Sequence, residues 1–282
     1  MLNLLFTCFM KIVNTVCCLP AVVIFMLMGH IAIAQASLPA KISWPNHKKA
    51  VIILTYDDAL DSQLKNAIPE LNRLKLKGTF FLTGLGRDAT PQWRAVSRKG
   101  HELANHTLYH PCLNATMPDN PVNASEHYTI YGILREIDMQ NNFLFAVDGK
   151  STRTYAYPCT ETEVGGRNYV DSLRKAGLVK YARVGGDVDA VITDFKKLDP
   201  LQVPSYGLED NTSADKLIAF VKDTERKGGM GIFMFHGIGG DYITTSIEAH
   251  KALLEYLAKN EKDIWVTTFQ QAMDYVTKAN KG

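Results

Sequence analysis

The chain has 282 residues, 46% of them apolar, and its 31 Lys and Arg against 29 Asp and Glu leave a formal charge of +2. That supply of apolar side chains can bury a large core, as one big α/β domain or two small ones. A charge so near zero excludes the long-range field that nucleic acid or an anionic membrane surface calls for, so no nucleic-acid partner is expected.

The first 36 residues carry Lys11, an apolar run and a small-residue "AQA" end, which read as a secretory signal cleaved after Ala36. Met10 followed by Lys11 is the more natural start, and an uncleaved membrane anchor is the alternative. Cys18 is followed by "LPAV" without a lipobox-like run before it, so lipidation is not expected. The mature protein, 37–282, is then periplasmic or secreted, without stable membrane association. Of the five cysteines, Cys8, Cys17 and Cys18 leave with the signal. One pair, Cys112 and Cys159, remains in an oxidising compartment, and we expect these two to be bonded to each other.

From Lys49 onward, short apolar runs alternate with amphipathic stretches, without a long linker, repeat or low-complexity tract. The runs "AVIILTY", "GTFFLTG", "HELANHT", "TRTYAYP", "VKYARVG", "GIFMFHG" and "DIWVTTF" read as strands. Helical patterns fall at Asp61–Lys77, Pro91–Lys99, Ser125–Phe143, Asn168–Gly177, Ala214–Lys227, Ser246–Lys259 and Gln270–Ala279. Alternating β and α units imply a mainly parallel sheet in one α/β domain. About seven units without a dinucleotide glycine fingerprint favour a barrel over the runner-up, a doubly wound open sheet. In either architecture a ligand site lies beyond the carboxyl ends of the strands, and that is where the chemically capable residues fall.

Asp57 and Asp58 end the first strand. Two carboxylates at a buried mouth are costly unless a cation or hydrogen-bond donors compensate, although one of them could instead cap the next helix. "NHTLYH" supplies His106 and His110 at a spacing that lets two imidazoles converge on one ion, but without the glutamate of an "HExxH" metalloprotease. His236 closes the sixth strand before the glycine-rich turn "GIGGDY", either as a functional group or as a hydrogen-bonded strand-end histidine. His47, His101, His127 and His250 sit in loop or helix contexts without evident partners and read as structural or surface residues.

"TYDDA", "HTLYH", "AYPC" and "MFH", in this order, resemble the first, second, third and fifth motifs of the polysaccharide deacetylases, the NodB-homology carbohydrate esterases. The resemblance covers the chain from about Lys48 to the C-terminus. It implies a distorted (β/α) barrel of NodB-homology type and a divalent metal, zinc first, with cobalt or nickel as alternatives. It further implies hydrolysis of acetyl groups on an acetylated polysaccharide or oligosaccharide by a metal-activated water, usually at N-acetylated amino sugars. Carried across, Asp57 is the general base and His236 the general acid, while Asp58, His106 and His110 are the metal ligands. A backbone N–H in the "YPC" turn, that of Cys159, together with the metal, would face the oxyanion, and Tyr157 and Met234 would line the substrate pocket.

Two departures stand out. The arginine that many members carry in the third motif is absent from "AYPCT", so Arg153 or Arg183 would have to orient Asp57. The tryptophan of the fourth motif is also absent, since Trp44, Trp93 and Trp265 all lie elsewhere in the order. An O-acetyl (xylan-type) esterase on the same scaffold is therefore the alternative activity, and a catalytically silent glycan-binding module the non-enzymatic one. A glycosidase built on Asp57 and Asp58 is disfavoured, because such carboxylates stand about 5 Å or more apart across a sugar and come from different strands.

Overall fold

A computed structural model of the chain describes residues 42–187 and 190–280. The expected signal segment, with Cys8, Cys17 and Cys18, lies outside the described residues.

The strands in chain order are β1 (Ala50–Asp57), β2 (Thr79–Leu82), β3 (Glu102–Asn105), β4 (Thr154–Ala156), β5 (Glu163–Val164), β6 (Arg167–Asn168), β7 (Tyr181–Arg183), β8 (Tyr206–Gly207), β9 (Met230–Phe235) and β10 (Ile264–Thr267). The helices are α1 (Ile68–Arg73), α2 (Thr90–Arg98), α3 (Ile130–Asp148), α4 (Val170–Ala176), α5 (Ala214–Lys227), α6 (Ile247–Lys259) and α7 (Phe269–Ala279). All seven sequence-expected strands are present. The additional ones, the β5–β6 hairpin and β8, have two residues each, too few to show a period.

The main sheet runs β7-β4-β3-β2-β1-β9-β8, and every pairing in it is parallel. One edge of β1 is shared: Ala50–Ile53 pair with Ile264–Thr267 of β10, and Thr55–Asp57 with Thr79–Phe81 of β2. The seam between the end strands is spanned by the segment after Asp199. Val203 bridges Arg183, Val184 N donates to Val203 O at 2.9 Å, and Gly207 N donates to Gly186 O at 3.0 Å. The result is the distorted (β/α) barrel expected from the alternating pattern, with the runner-up open sheet set aside.

Parity along β1 explains why its sequence is almost continuously apolar. Ile52, Leu54 and Tyr56 pack outward among the helices with Leu71, Trp93, Phe220 and Leu253, whereas Val51 and Ile53 pack inward with Ile232, Phe269 and Met273. A strand buried on both faces has no polar side to alternate with. Asp57 has the inward parity, so the fold sends it to the barrel interior.

Three helices differ from expectation by more than one residue: the fourth starts at Val170 because Asn168 pairs in β6, the third runs on past Phe143 to Asp148, and the first and third also begin differently. The first helical stretch begins as a π turn, Gln63–Ala67, and ends at Arg73, because Lys75 adopts a left-handed φ of 59°. The third starts at Ile130 instead of Ser125, since Ser125–His127 form a separate 3-10 turn and the Thr129 side chain accepts from Gly132 N as the cap. Among the described residues no helix is long and apolar enough to cross a membrane.

Candidate active site

The strand register aligns the chemically capable residues. Tyr56 pairs with Phe235, so Asp57 and His236 leave their strands side by side. Ala156 pairs with Arg183 and Leu82 with Asn105, which sets Arg183 and His106 at the same end of the barrel. A cavity of about 380 Å³ opens there, and Asp57, Asp58, His106, His110, His236, Tyr157, Cys159 and Met234 all line it.

Asp57 Oδ2 is paired with the Arg183 guanidinium, and both side chains are buried. Arg183 is oriented in turn by Ser205, whose Oγ accepts from its Nη1 at 3.1 Å, and by the Phe81 ring, 5.0 Å from the guanidinium carbon. The other carboxylate oxygen, Asp57 Oδ1, is buried without a hydrogen-bond partner. Arg153, the other arginine expected to serve Asp57, does not. It lies just before β4, at the opposite strand end, and its guanidinium is committed to Asp148 at 2.6 Å and to Leu103 O at 3.2 Å.

Asp58 leaves the strand with a left-handed φ of 78°. Its Oδ1 stands 3.3 Å from both His106 Nε2 and His110 Nε2, while its Oδ2 accepts the Tyr242 hydroxyl at 2.6 Å and lies 3.7 Å from His236 Nε2. His106 Nδ1 sits 2.8 Å from Ala156 O; a carbonyl can only accept, so Nδ1 carries the proton and Nε2 turns a lone pair toward Asp58. Burial pushes the Asp58 carboxyl up, but His106, His110 and His236 together hold it well below the usual carboxylate range. Burial pulls His106 down, yet Asp58 and Asp57 leave it net raised, whereas burial and the neighbouring His106 lower His110 to about 4.

The loop carrying the two histidines is shaped from behind. Glu136 of α3 accepts from Leu108 N at 3.0 Å and Tyr109 N at 2.8 Å, and Thr107 Oγ1 accepts from His110 N at 3.0 Å. Thr107 and His110 have φ of 62° and 52°, and Cys159 has 50°. Left-handed backbone at non-glycine residues is costly and persists only where surrounding contacts over-determine it. One such constraint is the Cys112–Cys159 disulfide, with Cα atoms 5.8 Å apart across 47 positions. It joins the loop after His110 to the turn after Tyr157.

The residues fit a divalent cation. One carboxylate oxygen and two imidazole nitrogens lie within 4.8 Å of one another, and Asp58 Oδ1 is a buried acceptor with no hydrogen bond. Three protein ligands of this kind are the donor set of an open catalytic zinc site. A second group, His110 with Cys112 and Cys159, also clusters, but its sulfurs are tied to each other.

Several walls were not foreseen. Thr116, Met117, Thr160, Tyr242 and Ile243 complete the cavity from loops, whereas the expected Tyr157 lines it with its ring packed away against Tyr155 and Tyr169, at 5.0 and 5.5 Å, and its hydroxyl donating to Leu201 O at 2.9 Å. Of these, Tyr242 alone had a signal, the glycine-rich turn "GIGGDY" that it closes. His101 and His250, read as lacking partners, are buried and partnered: His101 Nδ1 accepts from Gly78 N at 3.1 Å, and His250 Nε2 lies 2.8 Å from the Tyr56 hydroxyl.

Residues 45–179 match the family model described as polysaccharide deacetylase. The chain is 28% identical over 115 residues to the peptidoglycan N-acetylmuramic acid deacetylase PdaA of Bacillus subtilis, covering 40% of this chain and 39% of that protein. It is 34% identical over 73 residues to a peptidoglycan N-acetylglucosamine deacetylase of Bacillus cereus, covering 24% of this chain and 34% of that protein. These matches thus span little more than a third of either curated relative. In three dimensions it resembles a solved Mycobacterium smegmatis protein assigned to the polysaccharide deacetylases, with a TM-score of 0.59 at 18% identity over 86% of this chain and 94% of that one. The fold, the ordered motifs at the strand ends and the matched segment agree: the chain belongs to the polysaccharide deacetylase family.

Proposed function

We propose that this protein is an exported, metal-dependent deacetylase that hydrolyses acetyl groups on a glycan, with N-acetylated amino sugars as its first substrate class. The observation that carries this reading is the convergence of Asp58, His106 and His110 beside an Asp57 pinned on one oxygen only. The names of the two curated relatives support peptidoglycan amino sugars as the polymer to test first.

Asp58, His106 and His110 would hold the cation, zinc by its donor set, which supplies Lewis acidity toward the acetyl carbonyl and acidifies water. Arg183 occupies Asp57 Oδ2 and leaves Oδ1 without a partner, so that this carboxylate, which lines the cavity, keeps an oxygen to take a proton from attacking water. The Cys159 N–H, in a turn held open by left-handed backbone, is the donor for the developing oxyanion. His236 returns a proton to the departing nitrogen, which leaves only as an amine. Met234, Met117 and Ile243 exclude bulk water from the acetyl group.

The test is acetate release by the purified chain beginning at Ser37, with zinc added, from acetylated chitooligosaccharide, peptidoglycan and acetyl-xylan. Release from the N-acetylated substrates is expected. Release from acetyl-xylan alone would replace this reading by the O-acetyl esterase one, and no acetate from any of them overturns it.

A further inference from the structure

Tyr242 stands on the loop between β9 and α6, 51% exposed, yet its hydroxyl donates to Asp58 Oδ2 at 2.6 Å. Two features show that the loop is built to hold it there. Tyr242 is flanked by Asp241 and Ile243, both with left-handed φ, of 62° and 45°. The turn closes on itself, with Gly237 N donating to Tyr242 O at 3.1 Å and Thr245 N to Gly237 O at 2.9 Å. It closes so tightly that a Cβ on Gly237 would meet Gly240 O at 2.0 Å.

The same loop is stitched to the segment that follows Asp58. Asp241 Oδ2 accepts from Ser62 N at 2.9 Å, Ser62 Oγ accepts from Ile238 N at 3.0 Å, and Asn66 Nδ2 donates to Ile238 O at 2.6 Å. Tyr242 and Asp58 are therefore parts of one rigid assembly, and their contact does not depend on a long side chain finding a partner by chance.

A carboxylate has two equivalent oxygens and turns about its last bond, so which oxygen meets a cation must be decided by something outside it. At Asp58 the decision is visible: Oδ2 holds the tyrosine proton, and Oδ1 is left to His106 and His110. Without that hydroxyl, Oδ2 would still have His236 Nε2 at 3.7 Å, and the carboxylate could turn toward it.

We propose that Tyr242 is a positioning residue that makes Asp58 a one-oxygen ligand, holding Oδ2 so that Oδ1 stays turned to His106 and His110. This rests on the metal-dependent reading above. Hydrogen bonds of this kind behind a ligand typically change metal affinity by about 10–100-fold.

The experiment measures zinc and cobalt dissociation constants by chelator competition, and the visible spectrum of the cobalt form, for the wild-type chain, Asp58→Ala and Tyr242→Phe. Expected are one ion per wild-type chain, none for Asp58→Ala, and roughly tenfold weaker binding by Tyr242→Phe with an altered cobalt spectrum. Metal-free thermal stability of Tyr242→Phe should fall by no more than the loss of one hydrogen bond, because the ring and its exposed setting are kept. Wild-type affinity and spectrum in Tyr242→Phe overturn the inference while leaving the deacetylase reading intact. Weaker binding accompanied by a larger fall than that in metal-free stability overturns it in favour of a structural role. A wild-type chain that binds no ion overturns the metal-dependent reading, and this inference with it.

Discussion

Arg183 closes β7 with its guanidinium on Asp57, a residue 126 positions earlier at the end of β1, and both are buried. The arginine on Asp57 thus comes from β7, the strand beside the β4 turn where the resemblance would place it, because Ala156 and Arg183 are partners in the sheet.

Arg183→Met should leave Asp57 as an uncompensated buried charge, at a cost of about 3–5 kcal/mol. Urea unfolding should show this, and acetate release should fall steeply. Adding Asp57→Asn to that variant should recover much of the stability and none of the activity. Equal stability of Arg183→Met and wild type would mean that the pair does not compensate Asp57.

Metal removal should act on both activity and stability. A cation bound only by the folded chain adds about 2.7 kcal/mol when present at a hundred times its dissociation constant. Chelation should therefore lower the thermal midpoint and stop acetate release, and zinc should restore both. A chelated protein with an unchanged midpoint and full activity would exclude the proposed cation.

The Cys112–Cys159 bond closes a loop of 47 positions, for which the chain-entropy model gives roughly 4 kcal/mol. The Cys112→Ser, Cys159→Ser double variant should lose about this much. It should lose activity further, because the loop after His110 and the turn at Cys159 are no longer held to each other. Two free thiols in the unfolded, unreduced mature protein would remove the bond from consideration.

His250 is buried against Tyr56 and Phe235, and burial lowers it from 6.5 to about 3. Below pH 6.5 the unfolded chain takes up a proton that the folded chain refuses. Stability should therefore fall as pH drops from about 6.5 toward 3, by about 1.4 kcal/mol per pH unit for this group. His250→Gln should be less stable than wild type at pH 7.5 and lose less on acidification. Parallel wild-type and variant curves of unfolding free energy against pH would contradict this.

The strands were legible because each is a short apolar run bounded by turn residues, and the site lay at their ends because parallel α/β architecture puts it there. The short β8 exists only by pairing with the distant β9, and the β5–β6 hairpin has strands of two residues, so neither offers a period to read. The choice between Arg153 and Arg183 was open for the same reason. Both flank strand-like runs, and only the register shows Arg153 at the far end with Asp148 and Arg183 at the mouth with Asp57. Met117 and Thr116 come from a loop whose course is set by the Cys112–Cys159 bond and by Glu161, which accepts from Leu113 N at 2.8 Å and Thr116 Oγ1 at 2.9 Å.

By itself, the sequence determined the alternating architecture and the positions of Asp57, Asp58, His106, His110 and His236 at strand ends, since periodicity and strand boundaries are local properties. Only the tertiary structure decided how the two aspartates differ. Asp57 is held on one oxygen by an arginine from another strand, and Asp58 on one oxygen by a tyrosine from another loop. Which oxygen of a carboxylate is left open depends on donors brought in from far along the chain, and those distances are set by folding.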